Sequence, residues 1–449
     1  MSKNTDNISN DQSLFFIPIK GKEYSLLYAP LADSILLLNQ TEVERIKTAI
    51  TSPQEADEEA LSIVEALCDV VPVAMRDNQI RNEYDFINLS ILPNNICNFS
   101  CSYCYSAKGR SSQQLSLQSA YKAIDYFLST ERNKAPKLTV SIFGGGEPLL
   151  SWKKVVKPAI GYLYEQAAIQ SRTVITTLIT NGSLLPDGFI ELCCKYSIDL
   201  VCSFEILEDV QNSQRKHYET VCSNIRTLID NGVVPAINSV ITELNVDRQP
   251  EMIEELHLHY PEVKHVAFEP VVNPQMADKE KFHIHFTRGF IAAERLAEKY
   301  GIKLSCSALR NVDVTVDRYC PGEFALCANG EISCCPCVSS PQEPNYEKYI
   351  YGIVDENGVT VDRSKLQALL TYNLHSQNWC ESCFAKWNCG GGCVNNTLNN
   401  GGKQDMAYCK FVKRFLTYTL LKRLDKIYRE EENTYLQEII GNYEHVITD

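Results

Sequence analysis

The sequence predicts an α/β fold: a partial, TIM-like (β/α)6 barrel with a small α+β domain before it and a cysteine-rich domain after it. Three observations carry this expectation. Between about residues 86 and 272, apolar runs rich in β-branched residues alternate six times with helical segments, as parallel βα units buried on both faces do. Three short strand-like runs and two helical stretches precede them. Ten of the 19 cysteines crowd between Cys320 and Cys409. The expected divisions fall at 1–80, 81–305 and 306–449. A doubly wound sheet is the alternative packing of the same units.

In the first domain the strand candidates are Leu14–Ile19, Tyr24–Tyr28 and Ser34–Leu38, punctuated by Gly21 and Ala29-Pro30. Helices are expected at Thr41–Ile50, where Thr41 and Glu44 have capping-box spacing, and at Gln54–Cys68. The barrel strands are Phe86–Leu92, Leu138–Phe143, Val174–Thr180, Asp199–Phe204, Ala236–Ile241 and His265–Glu269. The helices between them are Ser116–Thr130, Trp152–Ser171, Leu185–Lys195, Tyr218–Asn231 and Gln249–Tyr260. A further helix is expected at Phe286–Tyr300, and a last one from about Tyr408, with Phe411, Phe415, Leu421, Leu424 and Tyr428 at helical spacing.

Composition excludes several classes. The chain has 449 residues, 44% of them apolar, and a formal charge of −13, which places it among ordinary globular proteins. Its polar start, Met1-Ser2-Lys3-Asn4-Thr5-Asp6, has no secretory apolar stretch. Runs such as Ile35–Leu38 fall far short of the ~18 apolar residues of a membrane span. The expected setting is therefore cytoplasmic and reducing, with no membrane partner, where cysteines stay thiols unless a metal takes them. The acidic balance disfavours nucleic acid.

The chemistry begins directly after the first barrel strand, with Cys97-x3-Cys101-x2-Cys104 on one short loop. Four thiolates close a zinc site or an ordinary cubane; three leave one iron of a cubane open to a cosubstrate. The competing reading is a zinc knuckle completed by a distant residue. The second strand ends in Gly144-Gly145-Gly146-Glu147-Pro148 and the third in Thr180-Asn181-Gly182. Glycines admit close backbone approach, and a carboxylate there accepts from an ammonium group. A plain glycine turn with a solvated glutamate is the bland alternative. The fourth strand ends in Ser203-Phe204-Glu205, and Gln211–Arg215 follows.

With Tyr103 before the third cysteine, the loop resembles the signature of radical S-adenosylmethionine (radical SAM) enzymes, and the strand ends resemble that family's "GGEP" and "TNG" motifs. The resemblance implies a [4Fe-4S] cluster on Cys97, Cys101 and Cys104, with the amino and carboxylate groups of S-adenosylmethionine on its open iron. Reductive cleavage then gives a 5′-deoxyadenosyl radical that abstracts hydrogen. It also implies that Tyr103, Gly145, Gly146, Glu147, Asn181, Ser203 and Arg215 contact the cosubstrate. The fourth strand departs from the family's Ser-x-Asp, and a surface role for Arg215 stays open.

Further on, Cys380-x2-Cys383-x5-Cys389-x3-Cys393, with Cys409 beyond and Cys320-x9-Gly330-x4-Cys335 upstream, resembles the SPASM domain. That resemblance implies two auxiliary [4Fe-4S] clusters, one on Cys380, Cys383, Cys389 and Cys409, the other on Cys320, Cys327, Cys335 and Cys393. Cys334 and Cys337 crowd the latter set and leave its membership open. Cys68, Cys193, Cys194, Cys202, Cys222 and Cys306 read as buried small hydrophobes.

The implied activity is oxidative radical modification of a ribosomally made precursor peptide, closing a C–C, C–S or C–O bond, with an external electron donor such as flavodoxin or ferredoxin. The domain at 1–80 resembles leader-binding domains, which pair an extended peptide with a strand edge; a barrel cap is the other reading. Sulfatase activators of this kind carry an aspartate base after the G-x4-C cysteine, whereas Pro336 follows Cys335 here. A non-catalytic, electron-carrying scaffold is the remaining alternative, and RNA modification is disfavoured by charge.

Overall fold

The computed structural model describes residues 13–68, 80, 82–272, 276–312 and 314–441; the polar N-terminal hexapeptide lies outside them. A three-stranded antiparallel sheet forms first, in the order β1 (Phe15–Pro18), β2 (Tyr24–Ala29), β3 (Ser34–Asn39). Its pleat sends alternate side chains to opposite faces. Leu27 and Leu38 bury against Val43, Ile46, Ala60 and Val64 of helices Gln40–Thr51 and Glu58–Cys68. Phe15, Ile17, Leu26 and Tyr28 bury against Leu416, Leu420 and Leu424 of helix Met406–Ile427. The Tyr28 hydroxyl donates to Asn388 Oδ1 at 2.9 Å, and Arg423 pairs with Asp33 at 2.6 Å. The N-terminal sheet is thereby seated on the cysteine-rich region. The capping box lies two residues earlier than Thr41 and Glu44: Asn39 accepts from the Thr41 and Glu42 amides, and Glu42 accepts from the Asn39 amide at 2.7 Å. Asn39 is the stronger cap, and it still has the acidic partner three residues on.

The second sheet is the partial barrel with a C-terminal extension. Its parallel strands are β4 (Asn88–Ile91), β5 (Lys137–Ile142), β6 (Thr173–Thr180), β7 (Asp199–Ser203), β8 (Ala236–Ile241), β9 (His265–Pro270) and β10 (Lys303–Ser305). The first six are the expected units; β10 adds a three-residue edge too short to leave an apolar run in the sequence. On the far side β11 (Phe324–Leu326) pairs parallel to β4, and β12 (Glu331–Ser333), β13 (Ile350–Asp355) and β14 (Gly358–Val361) continue antiparallel. One sheet therefore crosses residue 306, so the cysteine-rich region is hydrogen-bonded to the strand that opens the barrel.

Helices Leu117–Leu128, Lys157–Ile169, Phe189–Tyr196, Tyr218–Asp230, Gln249–His259 and Lys279–Lys299 occupy the crossovers. Their apolar stripes, with Ile124, Leu163, Ile225 and Phe286, close on the strands. Cys193, Cys202 and Cys306 are buried as small hydrophobes, but Cys68 and Cys194 are exposed and Cys222 is half-buried. Cys194 follows Cys193 on one helix, and adjacent helical positions cannot both face the core.

His283, on helix Lys279–Lys299, is 7% exposed and stacks on Phe411 with ring centroids 4.6 Å apart. Burial pushes its pKa down to about 4, against 6.5 for a free histidine. The folded state thus holds a neutral ring while the unfolded chain protonates it first. Stability from this residue is complete above pH 6.5 and falls as pH drops through 4, by about 3 kcal/mol. Urea unfolding at pH 7 and pH 4 will show a smaller loss in His283→Gln than in the parent chain.

Candidate active site

Between β4 and helix Leu117–Leu128 the chain makes a closed loop. Asn94 bridges to Gln114, the Asn95 amide donates to the Gln113 carbonyl at 3.0 Å, and the Leu115 amide donates to the Pro93 carbonyl at 3.0 Å. Cys97, Cys101 and Cys104 stand on this loop as half-buried free thiols. Tight turns set their spacing, with the Cys104 amide donating to the Cys101 carbonyl and the Ala107 amide to the Cys104 carbonyl, each at 3.2 Å. Burial, then negative charge at Cys104 and Cys97, pushes the Cys101 pKa up, so the three thiols of this loop are near enough to feel one another's charge. Among the described residues no three His, Cys, Asp or Glu side chains converge on a single metal ion. A cubane asks for something else, one thiolate per iron at separate corners, and three thiols on one closed loop are the donor set of a cubane with one open iron.

The glycine-rich turn after β5 presses on the same loop. At Gly145 a Cβ would stand 2.5 Å from Asn95 Oδ1 and 2.6 Å from the Asn94 carbonyl, and at Gly146 it would collide with the Ile96 carbonyl. The close approach these glycines permit is to the chain's own residues 94–96, immediately before Cys97. The Glu147 amide donates to the Ile96 carbonyl at 2.7 Å. Its carboxylate, 2% exposed, accepts from Thr180 Oγ1 at 2.8 Å, the Asn181 amide at 2.8 Å and the Leu149 amide at 3.1 Å. Burial nevertheless pushes the Glu147 pKa up. Glu147 is therefore not the solvated glutamate of a plain turn; it ties the end of β5 to the end of β6. Asn181 donates to Asn98 at 2.9 Å and lies 4.0 Å from Cys97 Sγ, beside the first thiol.

On the other side, Tyr103 turns inward to a buried polar group. Its hydroxyl donates to Glu205 and accepts from Arg215 Nη1 at 2.9 Å. Glu205 is fully buried and also accepts from Ser239 at 2.8 Å and the Val240 amide at 3.0 Å, with Arg215 at 3.8 Å. Arg215 is therefore an interior side chain, not a surface one; it is 7% exposed, its Nε is buried without a hydrogen-bond partner among the described residues, and its guanidinium stands 5.8 Å from the Phe99 ring centre. Ser203 ends β7, half-buried, on the same edge.

The C-terminal cysteines gather in two groups. At Cys389, burial and then the charges of Cys383, Cys409 and Cys380 push the pKa up, and Cys380 is pushed to about 12 by burial and by Cys383 and Cys409. These four line one cavity with Tyr408 and His283, and Cys393 reaches the same cavity. Cys320, Cys327 and Cys393 each interact with Cys335. Gly390 lets the chain turn here: its φ is 61° and a Cβ there would run into the Arg318–Tyr319 backbone, so the chain after Cys389 turns flush against residues 318–319, and Cys393 comes near Tyr319. Cys334 lies against Cys320 and Cys335. Cys337 is exposed and sits between Cys335 and Tyr105.

Residues 91–256 match the family model of the radical SAM superfamily. The chain carries a radical SAM domain. Over 187 residues it is 25% identical to the radical SAM cyclopropyl synthase TigE of Paramaledivibacter caminithermalis, a match covering 38% of this chain and 39% of that relative. Native anSMEcpe with bound AdoMet and Cp18Cys peptide superposes with a TM-score of 0.56 at 15% identity, over 76% of this chain and 99% of that one. Streptococcus suis SuiB bound to precursor peptide SuiA superposes with a TM-score of 0.50 at 14% identity, over 87% of this chain and 96% of that one. At such identities the likeness is one of fold.

Two side chains of the radical SAM domain's site carry no role in the sequence reading. Glu205 ends the Ser203-Phe204-Glu205 element, and it is the carboxylate on which Tyr103 and Arg215 converge. Arg110 lay outside every motif, and its Nη2 donates to Cys104 Sγ at 3.1 Å. Among the described residues no helix is long and apolar enough to cross a membrane.

Proposed function

We propose that the chain is a radical SAM enzyme that modifies a peptide. Cys97, Cys101 and Cys104 hold a [4Fe-4S] cluster, and the two C-terminal groups, Cys380/Cys383/Cys389/Cys409 and Cys320/Cys327/Cys335/Cys393, hold auxiliary clusters. The observation that carries the reading is the set of three half-buried thiols on one closed loop, with the Gly145–Glu147 turn locked onto that loop. When bound, the open cluster supplies the electron for reductive cleavage of S-adenosylmethionine.

The chain's own residues orient that cosubstrate. Glu147 has used three of its roughly four acceptor directions, which leaves one for an ammonium group. The unpartnered Arg215 Nε is a donor for a carboxylate. Gly145, Gly146, Asn181, Tyr103 and Ser203 complete this wall. A peptide as substrate is supported by the fold shared with two proteins solved with peptides bound. Among the described residues strand β1 pairs only with β2, so its outer edge offers a precursor's leader a place to add a strand. Truncating this domain would bare Leu416, Leu420 and Leu424, so substitutions on the β1 edge test it better than deletion.

The deciding experiment is anaerobic reconstitution, reduction by dithionite or flavodoxin, and measurement of 5′-deoxyadenosine with and without a co-expressed precursor peptide. Cosubstrate cleavage with loss of two hydrogens from the peptide supports the proposal. Conversion of a Cys or Ser to formylglycine supports the sulfatase-activating reading instead, and no cleavage at all leaves only a cluster-bearing scaffold.

A further inference from the structure

Arg110 lies six residues past Cys104 and points back at it. Its Nη2 donates to Cys104 Sγ at 3.1 Å, while Nη1 is buried without a hydrogen-bond partner among the described residues. The guanidinium therefore meets the thiol site through one hydrogen bond, to Cys104, and keeps a second N–H face buried beside it. Glu343 stands behind it, 5% exposed. That carboxylate does not form an ion pair with Arg110: Oε2 accepts from the Ser339 amide at 2.6 Å and the Ser340 amide at 3.0 Å, and Oε1 packs on Gly109, where a Cβ would stand 2.7 Å away. An arginine kept for structure would be expected to dock on the nearest carboxylate; this one gives its hydrogen bond to sulfur.

We propose that Arg110 is a tuning and positioning residue of the three-thiol site, a fixed cation and N–H···S donor that raises the reduction potential of the cluster held there. The inference rests on the reading that Cys97, Cys101 and Cys104 hold a [4Fe-4S] cluster. Adding an electron makes the cluster and its thiolate sulfurs more negative. A cation at hydrogen-bond distance from one of its sulfurs stabilises that reduced state more than the oxidised one. Arginine suits the task better than lysine, because its planar fork reaches two acceptors at once and is less strongly hydrated. Arg110 also lies between the thiol loop and residues 339–343, which follow the Cys334–Cys337 run, so it links the first cluster's setting to the C-terminal module.

The test is a redox titration of the full-length, anaerobically reconstituted chain, followed by EPR. The signal to follow is the one that changes when S-adenosylmethionine is added, since only a cluster with an open iron responds. Arg110→Gln is expected to load the same iron and keep that signal, but to hold the added electron about tenfold less tightly, about 59 mV for one electron. Arg110→Lys is expected to recover part of the shift. An unchanged potential in a fully loaded Arg110→Gln protein overturns the proposal. If the glutamine variant loads no iron, the lysine variant carries the test: a smaller negative shift supports the proposal, and no shift overturns it. Absence of any S-adenosylmethionine-responsive signal in the parent chain overturns the underlying reading instead.

Discussion

Replacing Cys97, Cys101 and Cys104 together by alanine will abolish S-adenosylmethionine cleavage while leaving both C-terminal cysteine groups loaded. Bound iron should fall from about twelve to about eight per chain. The selectivity follows from where the thiols stand. All three lie on the loop closed by the Asn94–Gln114 bridge, and the cysteines proposed for the auxiliary clusters lie elsewhere, in segments 320–335 and 380–409. The fold should survive, because the thiols are only half-buried and the loop is held by backbone bonds from Asn95 and Leu115 and by the Gly145–Glu147 turn, none of which uses sulfur. Iron analysis, circular dichroism and 5′-deoxyadenosine measurement check the three parts. Full cleavage activity in the triple variant would place the chemistry elsewhere; loss of nearly all iron would mean that the three sites assemble as one.

The parts of this site that sequence made visible are those dictated by local rules. Strand ends were legible because an apolar β-branched run stops where the chain turns, and the chemistry sits in those turns. Cysteine spacing was legible because a three-residue or two-residue gap limits which thiols can share a cluster. The meaning of Gly145 and Gly146 was legible only in half: a close approach was evident, but its partner, the Asn94–Ile96 backbone, is fifty residues away and leaves no local trace. The same is true of Glu147, whose bonds to Thr180 and Asn181 span two strands. Strands β10 to β12 escaped notice because three-residue segments carry no periodicity to read. The crowding at Cys334, Cys335 and Cys337 was visible, but only the fold turns Cys337 outward and Cys334 inward toward Cys320. Arg110 left no signal, because the feature that distinguishes it is a contact with Cys104 and not a motif.

Replacing Glu205 by leucine will destabilise the protein by about 3–5 kcal/mol, the range seen when one partner of a buried ion pair is removed. Glu205 is fully buried, and its two oxygens take every hydrogen bond offered by Tyr103, Ser239 and the Val240 amide, with Arg215 3.8 Å away. Leucine fills most of the volume but leaves the Arg215 guanidinium, 7% exposed, buried without a counter-charge, and it leaves the donors of Ser239 and Val240 without an acceptor. Glu205→Gln keeps the shape and part of the bonding, so it should cost less. The double variant Glu205→Leu/Arg215→Met should lose about 1–3 kcal/mol less than the sum of the single changes, because it removes the orphaned charge as well. Denaturant unfolding of the four proteins decides this, and strict additivity would show that the two side chains do not act as a pair. The damage should also reach the thiols. Tyr103 lies between Cys101 and Cys104, and the neighbouring Ser102 amide donates to the Gln214 carbonyl at 3.0 Å, so the segment bearing Arg215 and the thiol loop are stitched together at adjacent residues. Loss of the Glu205 anchor frees Tyr103, and iron should then leave the three-thiol site faster than the C-terminal groups when a chelator is added. Equal rates at all the sites would confine the role of Glu205 to stability.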